Sequence, residues 1–184
     1  MQNFVLPSLA ICAAFAFAAP LLTHASENAP DFTLKTARGD FTLSQQRGRA
    51  VVLFFGYTHC SDVCPTTLAK LAHTIRARGL AGSVRVAFVT VDPRRDTAAA
   101  LARYVQLFDS NFVGLTGDPR RLDSVFDLYH VWSKALPANA RSTDYAVAHS
   151  TATYFIDRTG RLRGVGDWDD SQAALDREFA QYFS

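Results

Sequence analysis

Two thiols stand three residues apart in FFGYTHCSDVCPTT, residues 54–67, as Cys60 and Cys64; the only other cysteine, Cys12, lies in an apolar leader. A pair this close can be a disulfide, a redox couple or half of a soft-metal site. As a staple it is weak. Closing a five-residue loop contributes about 2 kcal/mol by chain entropy, against about 4.7 kcal/mol for a 100-residue loop. The residues after position 25 are numerous enough to bury a full core without it.

The two remaining chemistries make different demands. Disulfide exchange needs a thiolate nucleophile, and unpaired N–H groups at a helix start favour thiolate. Redox motifs of thioredoxin-like folds usually carry two residues between their cysteines, whereas three separate Cys60 from Cys64. A metal clasp needs both sulfurs within about 4.6 Å of each other, given metal–sulfur bonds near 2.3 Å. It also needs a third ligand. Thiolate with imidazole selects copper or zinc over hard cations, and a three-coordinate set suits Cu(I).

After the leader the chain offers His59, His73, His130 and His149. His59 adjoins Cys60. His73 falls near the polar edge of a helix, and His130 ends one, where a histidine often meets the last carbonyls. His149 precedes a strand after a long loop and could close over the cysteines. His149 and His59 both remain candidates, with His149 preferred.

The elements that must position these groups follow from hydrophobic period and turn residues. FTL at 32–34 and FTL at 41–43 flank Arg38-Gly39-Asp40 and predict a hairpin. Ala50 to Tyr57 is a near-continuous apolar run, as in a strand buried on both faces. Pro65 disfavours α geometry at Cys64, which predicts a helix from Pro65 to Arg78 with Leu68, Leu71, Ala72 and Ile75 inward. On this reading Asp62 caps that helix.

Val84 to Val91 predicts a second buried strand, after which Asp92 begins a turn. A helix capped by Asp96 or Thr97 follows, with Leu101, Val105 and Phe108 inward. Phe112 to Leu115 is a short strand, and Asp118-Pro119 opens a third helix. Thr151 to Ile156 and Leu162 to Val165 predict a hairpin, and a last helix starts near Ser171. Residues 130–148 fit no element; a stretch this long is either functional or carries unrecognised structure, and it is expected to be a mobile element that brings His149 to the cysteines. Alternating strands and helices, then a hairpin and a helix, predict an α/β fold: a mixed sheet flanked by helices, with an N-terminal hairpin.

Phe4 to Leu22 carries no charge, and Thr23-His24-Ala25 resembles the end of a secretory leader. Residues 1–25 are read as a signal peptide cut near Ala25, or else as a retained membrane anchor, with one domain over residues 26–184. Either way the domain is expected outside the cytosol, where a free thiol pair needs a reason to stay reduced. The net charge of +2 is too small for a nucleic-acid partner.

Read together, GYTHCSDVCPTTLAKL (56–71), TVDPRRDT (90–97) and AHSTATYFID (148–157) resemble the Sco/SenC family. The resemblance runs from APDFTL to the final helix. It implies a thioredoxin-like fold and a copper chaperone, not an enzyme, that assists assembly of the copper-A centre of cytochrome c oxidase. It places the metal ligands on Cys60, Cys64 and His149, for Cu(I) or Cu(II). The implied partner is the copper-A subunit or another copper chaperone, and the protein is expected to be a periplasmic monomer. Membrane contact would come only through an uncut N-terminal segment.

The sequence departs from the family at Ser61, where proline is frequent, and at Ala148, which removes an acidic neighbour of His149. Thioredoxin-like oxidoreductases usually carry a proline before the strand facing the cysteines; His149-Ser150-Thr151 has none. Reduction of a client's cysteines through the Cys60–Cys64 pair remains the alternative activity.

Overall fold

The computed structural model describes residues 27–137, 145–167 and 169–183. The leader expected over residues 1–25 lies outside them, and no described helix is long and apolar enough to cross a membrane.

The predicted hairpin forms from β1 (Thr33–Thr36) and β2 (Gly39–Thr42), with Leu34 opposite Phe41. Gly39 makes this turn at φ +127°, a conformation that side chains resist. The chain then lays down β3 (Ala50–Gly56), α1 (Val63–Ala77), β4 (Val84–Thr90), α2 (Ala98–Gln106), β5 (Val113–Leu115) and α3 (Pro119–Leu128). β6 (Ser133–Pro137), β7 (Tyr145–His149), β8 (Thr153–Ile156), β9 (Leu162–Gly166) and α4 (Gln172–Tyr182) complete it.

The central sheet has the order β5-β4-β3-β8-β9. β3, β4 and β5 run parallel, while β8 and β9 are antiparallel additions. It is the mixed sheet the pattern predicted. Every residue of the central β3 is buried, which is why its sequence reads as an unbroken apolar run.

Alternation along β3 feeds two cores. Val51, Leu53 and Phe55 meet the hairpin residues Phe32 and Phe41 and the α3 residues Leu122, Val125 and Phe126. Val52 and Phe54 face Leu68, Leu71 and Ile75 of α1, Leu101 and Val105 of α2, and Phe179 of α4. Each fully buried Leu or Phe stabilises the fold by about 1.5–3 kcal/mol. The parallel register ends with Gly56 beside Thr90, and β8 begins with Thr153 beside Phe54. The carboxyl ends of β3 and β4 and the start of β8 therefore share one pole, where open α/β sheets carry their sites.

Two local expectations need correction, and a third resolves to one of its two alternatives. α1 starts at Val63, so Cys64 lies in its first turn and Pro65 is its third residue. Proline is tolerated there because the first N–H groups of a helix have no intrahelical partner anyway. Asp62 occupies the N-cap position, but its side chain makes no cap hydrogen bond. In α2 the cap is Thr97, which accepts from the Ala100 N–H at 3.2 Å, and Asp96 is used elsewhere.

The largest correction concerns residues 130–148. β6 and β7 form a two-stranded antiparallel ribbon with Ser133 opposite His149 and Pro137 opposite Tyr145. Exposed β6 side chains and the weakly alternating burial of β7 conceal the pattern that marks a strand packed on a core. Residues 138–144 lie outside the described part.

Candidate metal site

Three residues separate the end of β3 from Cys60. A turn closes this loop, with the Cys60 N–H donating to the Tyr57 carbonyl at 3.3 Å. The Cys64 N–H, at the open end of α1, donates to Cys60 Sγ at 3.4 Å. Helix start and loop thus bring the two sulfurs together, and neither forms a disulfide.

The cysteines are not equivalent. Cys60 is half-exposed, and Cys64 is fully buried. The Cys64 thiol donates to Cys60, and this, with the N–H groups of Cys64 and Asp62 and a smaller contribution from the nearby His149, lowers the Cys60 pKa to about 5 despite partial burial. The same hydrogen bond, followed by burial, pushes the Cys64 thiol far above the usual range. One proton is therefore shared out asymmetrically: Cys60 is the thiolate at neutral pH and Cys64 keeps the hydrogen.

Gly56 makes this closeness sterically feasible. A Cβ at Gly56 would stand 2.7 Å from Cys64 Sγ and 2.6 Å from Phe88 Cε2. No side chain fits between β3 and the buried sulfur.

His149 ends β7 at the root of the ribbon, its ring edge-on to Tyr57 with centroids 5.8 Å apart. Its Nδ1 lies 2.7 Å from the Ser150 carbonyl. A carbonyl only accepts, so Nδ1 carries the proton and Nε2 keeps the lone pair that a metal requires. The Ser150 carbonyl thus takes the orienting part that an acidic neighbour at position 148 would play.

The other histidines are placed differently. His59 has Nδ1 at 3.1 Å from Thr58 Oγ1 and 3.9 Å from Asp96 Oδ1. His73 is exposed on α1, and His130 closes the end of α3 at φ +53°. Among the described residues, no three His, Cys, Asp or Glu side chains are gathered tightly enough to hold a metal ion together. The sulfur pair is preformed, and His149 stands near enough to act electrostatically on Cys60.

Two carboxylates from TVDPRRDT, read in the sequence only as turn or cap residues, hold this pole together. Asp96 is 0% exposed. It accepts from the Thr58 N–H at 3.0 Å, the Thr58 hydroxyl at 2.6 Å and the Thr90 hydroxyl at 2.7 Å, tying the cysteine loop to the end of β4. Asp92 is also buried, accepts from the Tyr145 hydroxyl at 2.7 Å and pairs with Arg95 Nε. The Arg95 guanidinium lies 3.7 Å from the Tyr145 ring centroid and 5.7 Å from that of Tyr57. The Val147 N–H donates to the Tyr57 hydroxyl at 3.3 Å. These contacts moor β7, and with it His149, to the body. Two acids just past a buried strand were the available signal; nothing in their local sequence shows their burial.

Comparison with known proteins places the chain in a family. The family model described as SCO1/SenC matches residues 22–184. The chain is 41% identical over 136 residues to the mitochondrial SCO2 homologue of Bos taurus, covering 67% of this chain and 51% of that protein. The mitochondrial SCO2 homologue of Homo sapiens is 38% identical over 154 residues, covering 73% and 58%. The chain thus spans little more than half the length of these relatives. Among solved structures it resembles Arabidopsis thaliana ScoI with copper bound, at TM-score 0.77 and 29% identity over 85% of this chain and 98% of that one. It also resembles Bradyrhizobium japonicum ScoI with copper bound, at TM-score 0.74 and 33% identity over 85% and 100%.

Proposed function

The chain belongs to the SCO1/SenC family, and from that premise we propose that it is a copper metallochaperone, with Cys60, Cys64 and His149 as ligands, which delivers copper for assembly of the copper-A centre of cytochrome c oxidase. The carrying observation is the preformed sulfur pair, Cys60 as thiolate with the Cys64 N–H on its sulfur, facing His149. Copper bound to the two solved ScoI relatives supports copper as the cargo.

Soft thiolates and a neutral imidazole fit Cu(I), and also Cu(II) at a thiolate-rich site. Loading displaces the Cys64 proton, since a thiolate is the ligand. His149 brings Nε2 with its tautomer already set by Ser150. The half-exposed Cys60 is the sulfur a recipient reaches first, so cargo leaves by stepwise exchange of ligands. Trp132 and Leu136, 58% and 46% exposed along the stretch that leads into and forms β6, offer apolar contact to a client. The compartment is the periplasm, with the protein soluble after leader cleavage or held by its N-terminus.

Titration of the reduced protein with Cu(I) and Cu(II) tests this reading. Replacing Cys64 by Ser is expected to cost on the order of a thousandfold in Cu(I) affinity, about 4 kcal/mol, roughly a third of the 10–16 kcal/mol with which zinc-finger peptides hold their structural zinc. His149→Ala is expected to weaken binding and change the Cu(II) spectrum. Unchanged affinity and spectra in His149→Ala would defeat the three-ligand clasp.

One observation favours a second reading, reduction of a client's cysteines. A partly exposed thiolate at Cys60 backed by a buried thiol at Cys64 is the asymmetry that disulfide exchange uses. Catalysed reduction of a client disulfide by the metal-free protein, lost in Cys60→Ser, would establish it.

A further inference from the structure

At the pole opposite the cysteines, a cleft of about 360 Å³ opens between the β1–β2 turn, the start of β4, the edge strand β5 and the end of α2. Arg85 lies opposite Val51, five positions below the Gly56–Thr90 pair, or roughly 16 Å at about 3.3 Å per residue. The cleft is therefore separate from the metal site.

Arg85 is half-buried, donates from Nη1 to Gln46 Oε1 at 2.8 Å, and pairs with no carboxylate among the described residues. Burial, and then the neighbouring Arg49, lower its pKa, so the guanidinium bears both desolvation and like-charge repulsion. Arg38 lines the same cleft. The one acid in the lining, Asp40, has Lys35 as its partner at 3.5 Å. Gln106 and Asn111 add amide groups, while Phe112 and Val113 supply an apolar wall.

A partly desolvated cation without a counter-charge is costly unless something of opposite sign arrives. A guanidinium presents a planar fork of donors that matches carboxylate and phosphate oxygens two at a time. The cleft is of the size of small-molecule sites, which combine apolar walls with a few placed polar groups. We propose that this cleft binds a small organic anion, a carboxylate or phosphate carried on an apolar body, with Arg85 as its main contact and Arg38 as a secondary one. The site is independent of copper binding.

The full chain, titrated at constant ionic strength with benzoate, phenyl phosphate, inorganic phosphate and benzamide and followed by backbone amide NMR shifts, tests the proposal. Saturable shifts confined to Gln46, Arg85 and Phe112–Gly114 are expected with benzoate or phenyl phosphate, and the stronger of the two identifies the anionic group. Benzamide, which lacks the charge, should produce none. Arg85→Gln should weaken binding about tenfold or more, the value of a lost charge-assisted hydrogen bond. Arg38→Gln should weaken it a few-fold, and the exposed Arg120→Gln on α3 should change nothing. Melting curves of each variant check that it is folded; if Arg85→Gln is not, Arg85→Lys, which keeps the charge and loses the fork, should still show weakened binding. No saturable shift, equal binding of benzamide, inorganic phosphate as tight as the organic anions, or unweakened binding in a folded Arg85 variant would each overturn it.

Discussion

The cysteine loop and the β6–β7 ribbon bring the proposed ligands to the same pole by different means. The loop is local: Cys60 and Cys64 are joined by one short turn and a helix start, and their mutual contact spans four residues. The ribbon depends on distant partners. Tyr145 reaches Asp92 across 53 residues, and Val147 reaches Tyr57 across 90. Local geometry that is built into a turn survives most changes elsewhere. A ligand moored by a few long-range contacts, each worth about 1 kcal/mol net, can be loosened one contact at a time. Two of the proposed ligands are thus built in and the third is adjustable, which suits the proposed role of a carrier that must also let go.

Alkylation sharpens this contrast most. Iodoacetamide should modify Cys60 and spare Cys64 by orders of magnitude. The rate should be flat above pH 6 and fall tenfold per unit below about pH 5, as the Cys60 thiolate takes up its proton. An ordinary thiol would instead gain rate through pH 8.5. Mass spectrometry after short labelling reads both.

Asp96 belongs to the loop side of the comparison. Asp96→Ala strands two hydroxyls and an amide N–H, and should destabilise the protein by about 3 kcal/mol or more in urea unfolding. If the loop holds its shape by local turns alone, the Cys60 alkylation profile will be unchanged in this variant; a rise in the apparent pKa would show that the tether helps to set it.

Gly56→Ala should cost about 1–3 kcal/mol, since a methyl would collide with Cys64 Sγ and Phe88. Copper affinity should fall with it, because the sulfur must shift. The mildest change is Tyr145→Phe, which removes the hydroxyl from Asp92 while keeping the ring under Arg95, at about 1 kcal/mol. Its effect should fall on the His149 contribution to copper binding and leave Cys60 reactivity untouched. Equal effects on both would mean the two regions are not separable.

Legibility followed the range of the contacts. β3, β4 and the facing stripes of α1 and α2 were readable because burial writes itself into apolar period. Cys60 and Cys64 stood out through their spacing and their place after a buried strand. The ribbon escaped notice because its strands do not carry a strong buried alternation. Asp96 and Asp92 looked like cap and turn residues because those uses suit any aspartate before a helix; only tertiary packing distinguishes a buried acceptor from a solvated cap. α1 starts two residues before Pro65 because the restriction before proline is a preference, and the unpartnered first turn of a helix overrides it.

By itself the sequence determined the mixed sheet, the closeness of the two thiols and the short list of histidines, since these rest on local spacing and on which residues avoid water. Tertiary structure decided the rest. It made Cys60 the thiolate and Cys64 the thiol, through one hydrogen bond and unequal burial. It set the His149 tautomer through the Ser150 carbonyl and hung its strand on Asp92 and Tyr57. The physical reason is that ionisation and orientation depend on which groups surround an atom in space, and residues far apart in the chain supply most of that surrounding.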